Sequence, residues 1–176
     1  MKTLHFLFVS LLVLSITSCS SARSAAREGV DLSQYRSFSL VDNDDAYLPQ
    51  LSAVHKAEIE QAISKEIDQI SSKNLGVTGA DVLVNYFVVV DTKTDIQTYN
   101  DYYYRRWRNL PINVMVNYYK EGTLIIDMID AKTKKTIWNG STTSTVTANS
   151  IELEKTINRA VASLFEQFNK DRNPKG

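Results

Sequence analysis

Hydrophobic positions recur with two different periods along this chain. From Leu51 to Ser72, Ile59, Ile63, Ile67 and Ile70 fall on one helical face, while Glu58, Glu60, Lys65, Glu66 and Asp68 occupy other positions. Pro49 lies just upstream, where a helix start tolerates proline, and Asn74-Leu75-Gly76 supplies a stop. A second stripe, Leu153, Ile157, Ala160, Val161, Leu164 and Phe168, predicts a helix over about 150–169. Asn149 followed by Glu152 is a capping-box pattern, with Ser150 as the alternative cap.

The rest of the pattern predicts strands. Val82–Val90 is almost wholly apolar, as expected of a strand buried on both faces. Ile112, Val114, Val116 and Tyr118 alternate with other residues across 111–119, and Leu124–Ile129 follows Glu121-Gly122, which reads as a tight turn. Asp130–Lys135 then turns the chain into a strand over Thr136–Val146, and Tyr35–Val41 is an early strand before the first helix. The expected order is β-α-β-β-β-β-α. This is an α+β domain in which two helices pack on a mixed, mostly antiparallel sheet of about five strands. The crossover through the first helix would set the first two strands parallel, and the sheet face turned away from the helices also needs cover.

The chain start carries an address. Lys2 precedes an apolar run from Leu4 to Leu14, too short for the ~18–20 residues that span a bilayer, so residues 1–18 read as a signal peptide. Ile16-Thr17-Ser18-Cys19 resembles a bacterial lipobox, and Cys19 is the only cysteine of the chain. The resemblance implies lipidation of Cys19 and a membrane held through that lipid. Two or three acyl chains at about 0.8 kcal/mol per buried CH₂ give stable anchoring. Ser20 is not the Asp associated with inner-membrane retention, which points to the bacterial outer membrane; a domain facing the periplasm is the expectation, with the cell surface as the alternative the sequence leaves open. Residues 19–30 then read as lipidated Cys and flexible tether, 31–170 as one domain, and 171–176 as a C-terminal tail.

Composition narrows the chemistry. The 176 residues are 43% hydrophobic, enough for a core. Removal of Lys2 with the signal leaves one fewer basic than the 20 acidic side chains, a balance that argues against a nucleic-acid partner. Past the signal His55 is the single histidine, which excludes a multi-histidine zinc site; no G-x-S-x-G turn presents a serine to it, and it reads as a solvated helix-face residue. Asp42-Asn-Asp-Asp45 fails as a calcium loop, because Tyr47 and Ala53 stand where Gly and Glu are needed. Asp127 and Asp130 fall on opposite faces of a strand, so they do not pair for glycoside hydrolysis, and Asp130 reads as a turn residue. The expectation is a non-enzymatic protein with no metal and no cofactor.

Tyr35-Arg-Ser-Phe38, Ala80-Asp-Val-Leu-Val-Asn-Tyr86, Gly122-Thr-Leu-Ile-Ile-Asp-Met-Ile-Asp130 and Thr136-Ile-Trp-Asn-Gly140 resemble a family of bacterial envelope lipoproteins, the domain of unknown function 4136. The resemblance covers roughly Asp31 to Phe168 and implies an α+β lipoprotein domain. It transfers no catalytic residue.

One stretch stands apart. Tyr99, Tyr102, Tyr103, Tyr104, Arg105, Arg106, Trp107 and Arg108 crowd into YNDYYYRRWRN. Three uses fit: rings laid over the open sheet face, a contact patch for an envelope protein, or a platform stacking on glycan or another small ligand. Oligomeric state is not legible.

Overall fold

In the computed structural model, residues 22–41, 52–71, 79–98 and 114–174 are described, with side chains omitted at 96–98 and 114–116. The described residues form seven strands and helices: β1 (Arg23–Ala26), β2 (Phe38–Leu40), α1 (Ala53–Ile70), β3 (Val82–Thr98), β4 (Val114–Asp130), β5 (Thr136–Val146) and α2 (Ser150–Arg172). A 3-10 turn, Leu32–Gln34, links β1 to β2. The sheet order is β1-β5-β4-β3-β2, with β2 parallel to β3 and every other pair antiparallel.

The expected class stands: two helices on a mixed sheet of five strands. The strands are distributed differently along the chain. Residues 114–130 make one continuous strand, not two strands about a turn at Glu121-Gly122. Gly122 has no positive φ, and a Cβ there would lie 3.1 Å from Val146 Cγ2. Its smallness serves a close approach of β5 and not a reversal.

The fifth strand is β1, inside the stretch expected to be a flexible tether. Arg23-Ser-Ala-Ala has little intrinsic strand propensity, and pairing with Ser141–Trp138 overrides it. The expected tail at 171–176 is corrected likewise: Asp171 and Arg172 belong to the last turn of α2 and carry bonds into the core.

Burial follows the strand period. Val82, Val84 and Tyr86 of β3, Leu124, Ile126 and Met128 of β4, and Trp138 of β5 turn inward. They meet Ile59, Ala62, Ile63 and Ile67 of α1, and Val161, Leu164, Phe165 and Phe168 of α2. The Ser52 hydroxyl accepts from His55 N at 3.3 Å to cap α1. The Asn149 side chain accepts from Glu152 N at 3.1 Å to cap α2, so Asn149 and not Ser150 is the cap.

An aromatic cluster surrounds the buried Trp138. Its ring meets Phe168 edge-on, with centroids 5.4 Å apart, and Phe168 meets Phe38 at 5.7 Å. The indole also folds along its own strand over Gly140, where any Cβ would overlap the six-membered ring. Trp138-Asn139-Gly140 is therefore one steric unit. Gly140→Ala should destabilise the fold by about 1–3 kcal/mol, as over-packing does. Gly122→Ala should cost less, because the facing Val146 methyl can shift. Urea midpoints of the two variants check this ordering.

Candidate functional site

The two ends of the sheet are built differently. At the end where β4 turns into β5, hydrogen bonds close the structure. Asp130 Oδ1 accepts from Lys132 N at 2.9 Å and Thr133 N at 2.6 Å, and Lys134 completes the turn with φ of 57°. Asp130 Oδ2 accepts from the Tyr35 hydroxyl at 2.8 Å. Asp81 joins β2 to β3, accepting from Ser37 N at 3.1 Å and Arg36 N at 3.2 Å, while its own amide donates to Ser37 Oγ at 2.9 Å.

The last turn of α2 docks on the same half of the sheet. Asp171 Oδ2 accepts from Trp138 Nε1 at 2.8 Å and from Ser24 Oγ at 2.7 Å, and Gln167 Nε2 donates to Oδ1 at 2.9 Å. The Arg172 guanidinium donates to the Tyr35 carbonyl at 2.6 Å and lies 5.6 Å from the Phe38 ring centre. These carboxylates are used structurally. Asp127 turns to the open sheet face and accepts from the Asn139 side-chain amide, so Asp127 and Asp130 do not converge.

The other end is open. Along β5 the inward residues shrink from Trp138 to Gly140, Thr142 and Ser144, and α2 offers Ala160, Ile157 and Leu153 where it offered Phe168 and Phe165. A cleft of about 250 Å³ remains between the two helices and the sheet. Its floor is Val88 and Val90 of β3, Gly122 and Leu124 of β4, and Thr142, Ser144 and Val146 of β5. Ile59, Leu153, Ile157 and Ala160 form the walls, with His55, Lys120, Thr145 and Thr156 as polar lining. His55 is thus half-buried at the cleft and not a solvated face residue. Sequence reading missed the site because each lining residue alone reads as core or surface. The declining size of inward residues along β5 is the signal that was available.

Beyond Lys120 and Thr92 the sheet narrows. The β4–β5 register ends at Lys120↔Val146, while β3 and β4 go on pairing to Thr98↔Val114. Six residues per strand form a two-stranded ribbon about 20 Å long. Tyr118 and Tyr119 lie on it, 74% and 37% exposed. Tyr99, Tyr102, Tyr103, Tyr104, Arg105, Arg106, Trp107 and Arg108 fall between its two strands and lie outside the described residues, as do Cys19 and the Asp42–Asp45 loop.

Among the described residues no three His, Cys, Asp or Glu side chains gather as a metal set, and no helix is long and apolar enough to cross a membrane. The Trp-Asn-Gly unit and the strands about it fall within a single family match, to a domain of unknown function, over residues 22–168. The chain belongs to the DUF4136 family. No curated protein matches it in sequence.

The DUF4136 fold recurs in solved structures. A DUF4136 family protein from Bacteroides thetaiotaomicron is 13% identical with a TM-score of 0.52, covering 84% of this chain and 95% of its own. A PDZ domain protein from Parabacteroides distasonis is 14% identical with a TM-score of 0.54; the match covers 85% of this chain but only 35% of that longer protein. A point variant of the PelC dodecamer from Paraburkholderia phytofirmans is 11% identical with a TM-score of 0.50, covering 84% of this chain and 98% of its own. At these identities the likeness is one of fold.

The closed end sets a pH dependence. The Thr133 amide and then the Tyr35 hydroxyl, both bonded to it, hold the Asp130 carboxyl below its ordinary value of 3.8. Burial and then the bond to Asp130 push Tyr35 up to about 12. The Asp130 contribution is therefore complete above 3.8 and lost as pH falls through the lower folded value. The Tyr35 contribution is complete below 10 and lost as pH rises from 10 to about 12. The gap in urea midpoint between wild type and Asp130→Asn should shrink in acid, and that for Tyr35→Phe should shrink in alkali.

Proposed function

We propose that this DUF4136 protein is a lipid-anchored interaction module of the bacterial envelope, without enzymatic activity, held at the outer membrane through Cys19. One observation carries the reading: the point where the chain enters the domain and the exposed ribbon belong to the same end of the sheet. β1 runs antiparallel to β5, so its first residue points toward the end of β5 that borders the cleft. β3 is parallel to β5 through their shared neighbour β4, and its ribbon leaves in that direction. Cys19 precedes Ala22 by three residues, a reach of about 10 Å. The anchor then holds the domain close to the lipid surface with the ribbon on the membrane side.

The ribbon suits contact with a partner. Among the described residues β4 has no pairing with β5 beyond Lys120, so it leaves an edge onto which another chain can add. Tyr, Trp and Arg, concentrated between Thr98 and Val114, are the residues enriched where binding energy concentrates. The similar fold of a dodecameric protein makes a second copy the first partner to test.

Crosslinking in intact envelopes tests the module. A defined product should form with wild type and be lost with Tyr103→Ala/Trp107→Ala at unchanged melting temperature. A double variant that crosslinks as wild type does removes the Tyr/Arg segment from the contact. Mass spectrometry should find acyl chains on Cys19, and Cys19→Ala should move the protein to the soluble fraction. An unmodified, soluble wild type would exclude the anchor.

A further inference from the structure

The cleft at the open end is not used by the reading above. Its floor and walls are mainly aliphatic, with Val88, Leu124, Val146, Leu153 and Ile157 around it. Its volume of about 250 Å³ falls below the about 300–1,000 Å³ typical of sites for drug-sized ligands. A narrow, flexible apolar chain fits both the size and the lining.

We propose that the cleft is an acyl-chain site, and that its occupant is a free fatty acid. The head group is chosen by charge. His55, from the first turn of α1, and Lys120, where the ribbon leaves the sheet, line the cleft with N–H donors, and among the described residues no acidic side chain does. A carboxylate near Lys120 leaves the chain to run between Ile59 and Ile157 toward Ala160. The surroundings suit a lipid source. Val54 and Ile151, in the first turns of the two helices, are 65% and 64% exposed at this same end. Thr142 belongs both to the cleft and to a shallow depression with Ala22 and Arg23, where β1 starts. Supply from the membrane rests on the anchor proposed above; occupancy of the cleft does not.

The test uses the full mature chain carrying Cys19→Ala, so failure of the anchor reading leaves it intact. Isothermal titration with dodecanoate as the probe should give saturable, one-site binding. Leu153→Trp at a wall and Ala160→Phe deeper in should each weaken binding about tenfold or more by filling the space. Because Ala160→Phe also presses on the core, Leu153→Trp is the deciding variant if the former fails to fold. Lys120→Glu, at an exposed site, should weaken the acid about threefold or more and leave dodecanol unchanged, a split that loss of structure would not produce. Non-saturable binding, or wild-type affinity in a folded Leu153→Trp, would overturn the site. Equal response of acid and alcohol to Lys120→Glu would overturn the choice of a fatty acid. If the lipidated protein refuses a probe that the Cys19→Ala chain accepts, the occupant is the protein's own anchor, and the free-ligand assignment falls.

Discussion

The fold depends on the stacking of an indole on a residue that has no side chain. Trp138 occupies the volume that any residue other than glycine at position 140 would claim, and this lets a single tryptophan join its own strand to two positions of α2. Its face lies over its own strand, its edge meets Phe168, and its N–H reaches Asp171. Asp171 in turn takes the hydroxyl of Ser24, so the edge strand is joined to the last turn of α2 through one carboxylate. A strand with as little apolar content as Arg23-Ser-Ala-Ala keeps its place because its neighbours are arranged around that ring.

Filling one half of the core with aromatic rings leaves the other half to small residues. The inward positions of β5 pass from Trp138 to Thr142 and Ser144 within six residues, and α2 passes from Phe168 to Ala160 within eight. The helices then have nothing large to close upon near their N-termini, and space remains between them. The cleft thus follows from how side-chain volume is distributed along two elements, with no strain or unusual backbone needed to hold it open.

The same distinction decides what could be read before the structure. The isoleucine stripe of α1, the Asn149 cap and the parallel pairing through the first crossover are local or periodic signals, and they were legible; the Trp138-Asn139-Gly140 step stood out only through the family resemblance. Strand β1 was not legible, because its pairing comes from a partner more than a hundred residues away. Glu121-Gly122 misled because glycine serves both turns and close approaches, and only the Val146 contact tells them apart. The polar outer half of β3 carries no burial signal, since a two-stranded ribbon buries little, whereas the outer half of β4 was legible from the alternation of Val114, Val116 and Tyr118. His55 was set aside for want of partners that the sequence spaces far from it.

The hairpin at Ala131–Lys135 lies at the end of the sheet opposite to the one where Ala22 enters and the ribbon leaves. Its exposed Lys132, Thr133 and Lys134 are locked by the Asp130 turn and contribute no side chain to the core. A short epitope or fluorophore grafted there would sit at the pole remote from both the cleft and the ribbon. The protein thereby offers a built-in handle for watching it in place: a reporter far from the cleft and the ribbon that marks which way the domain points.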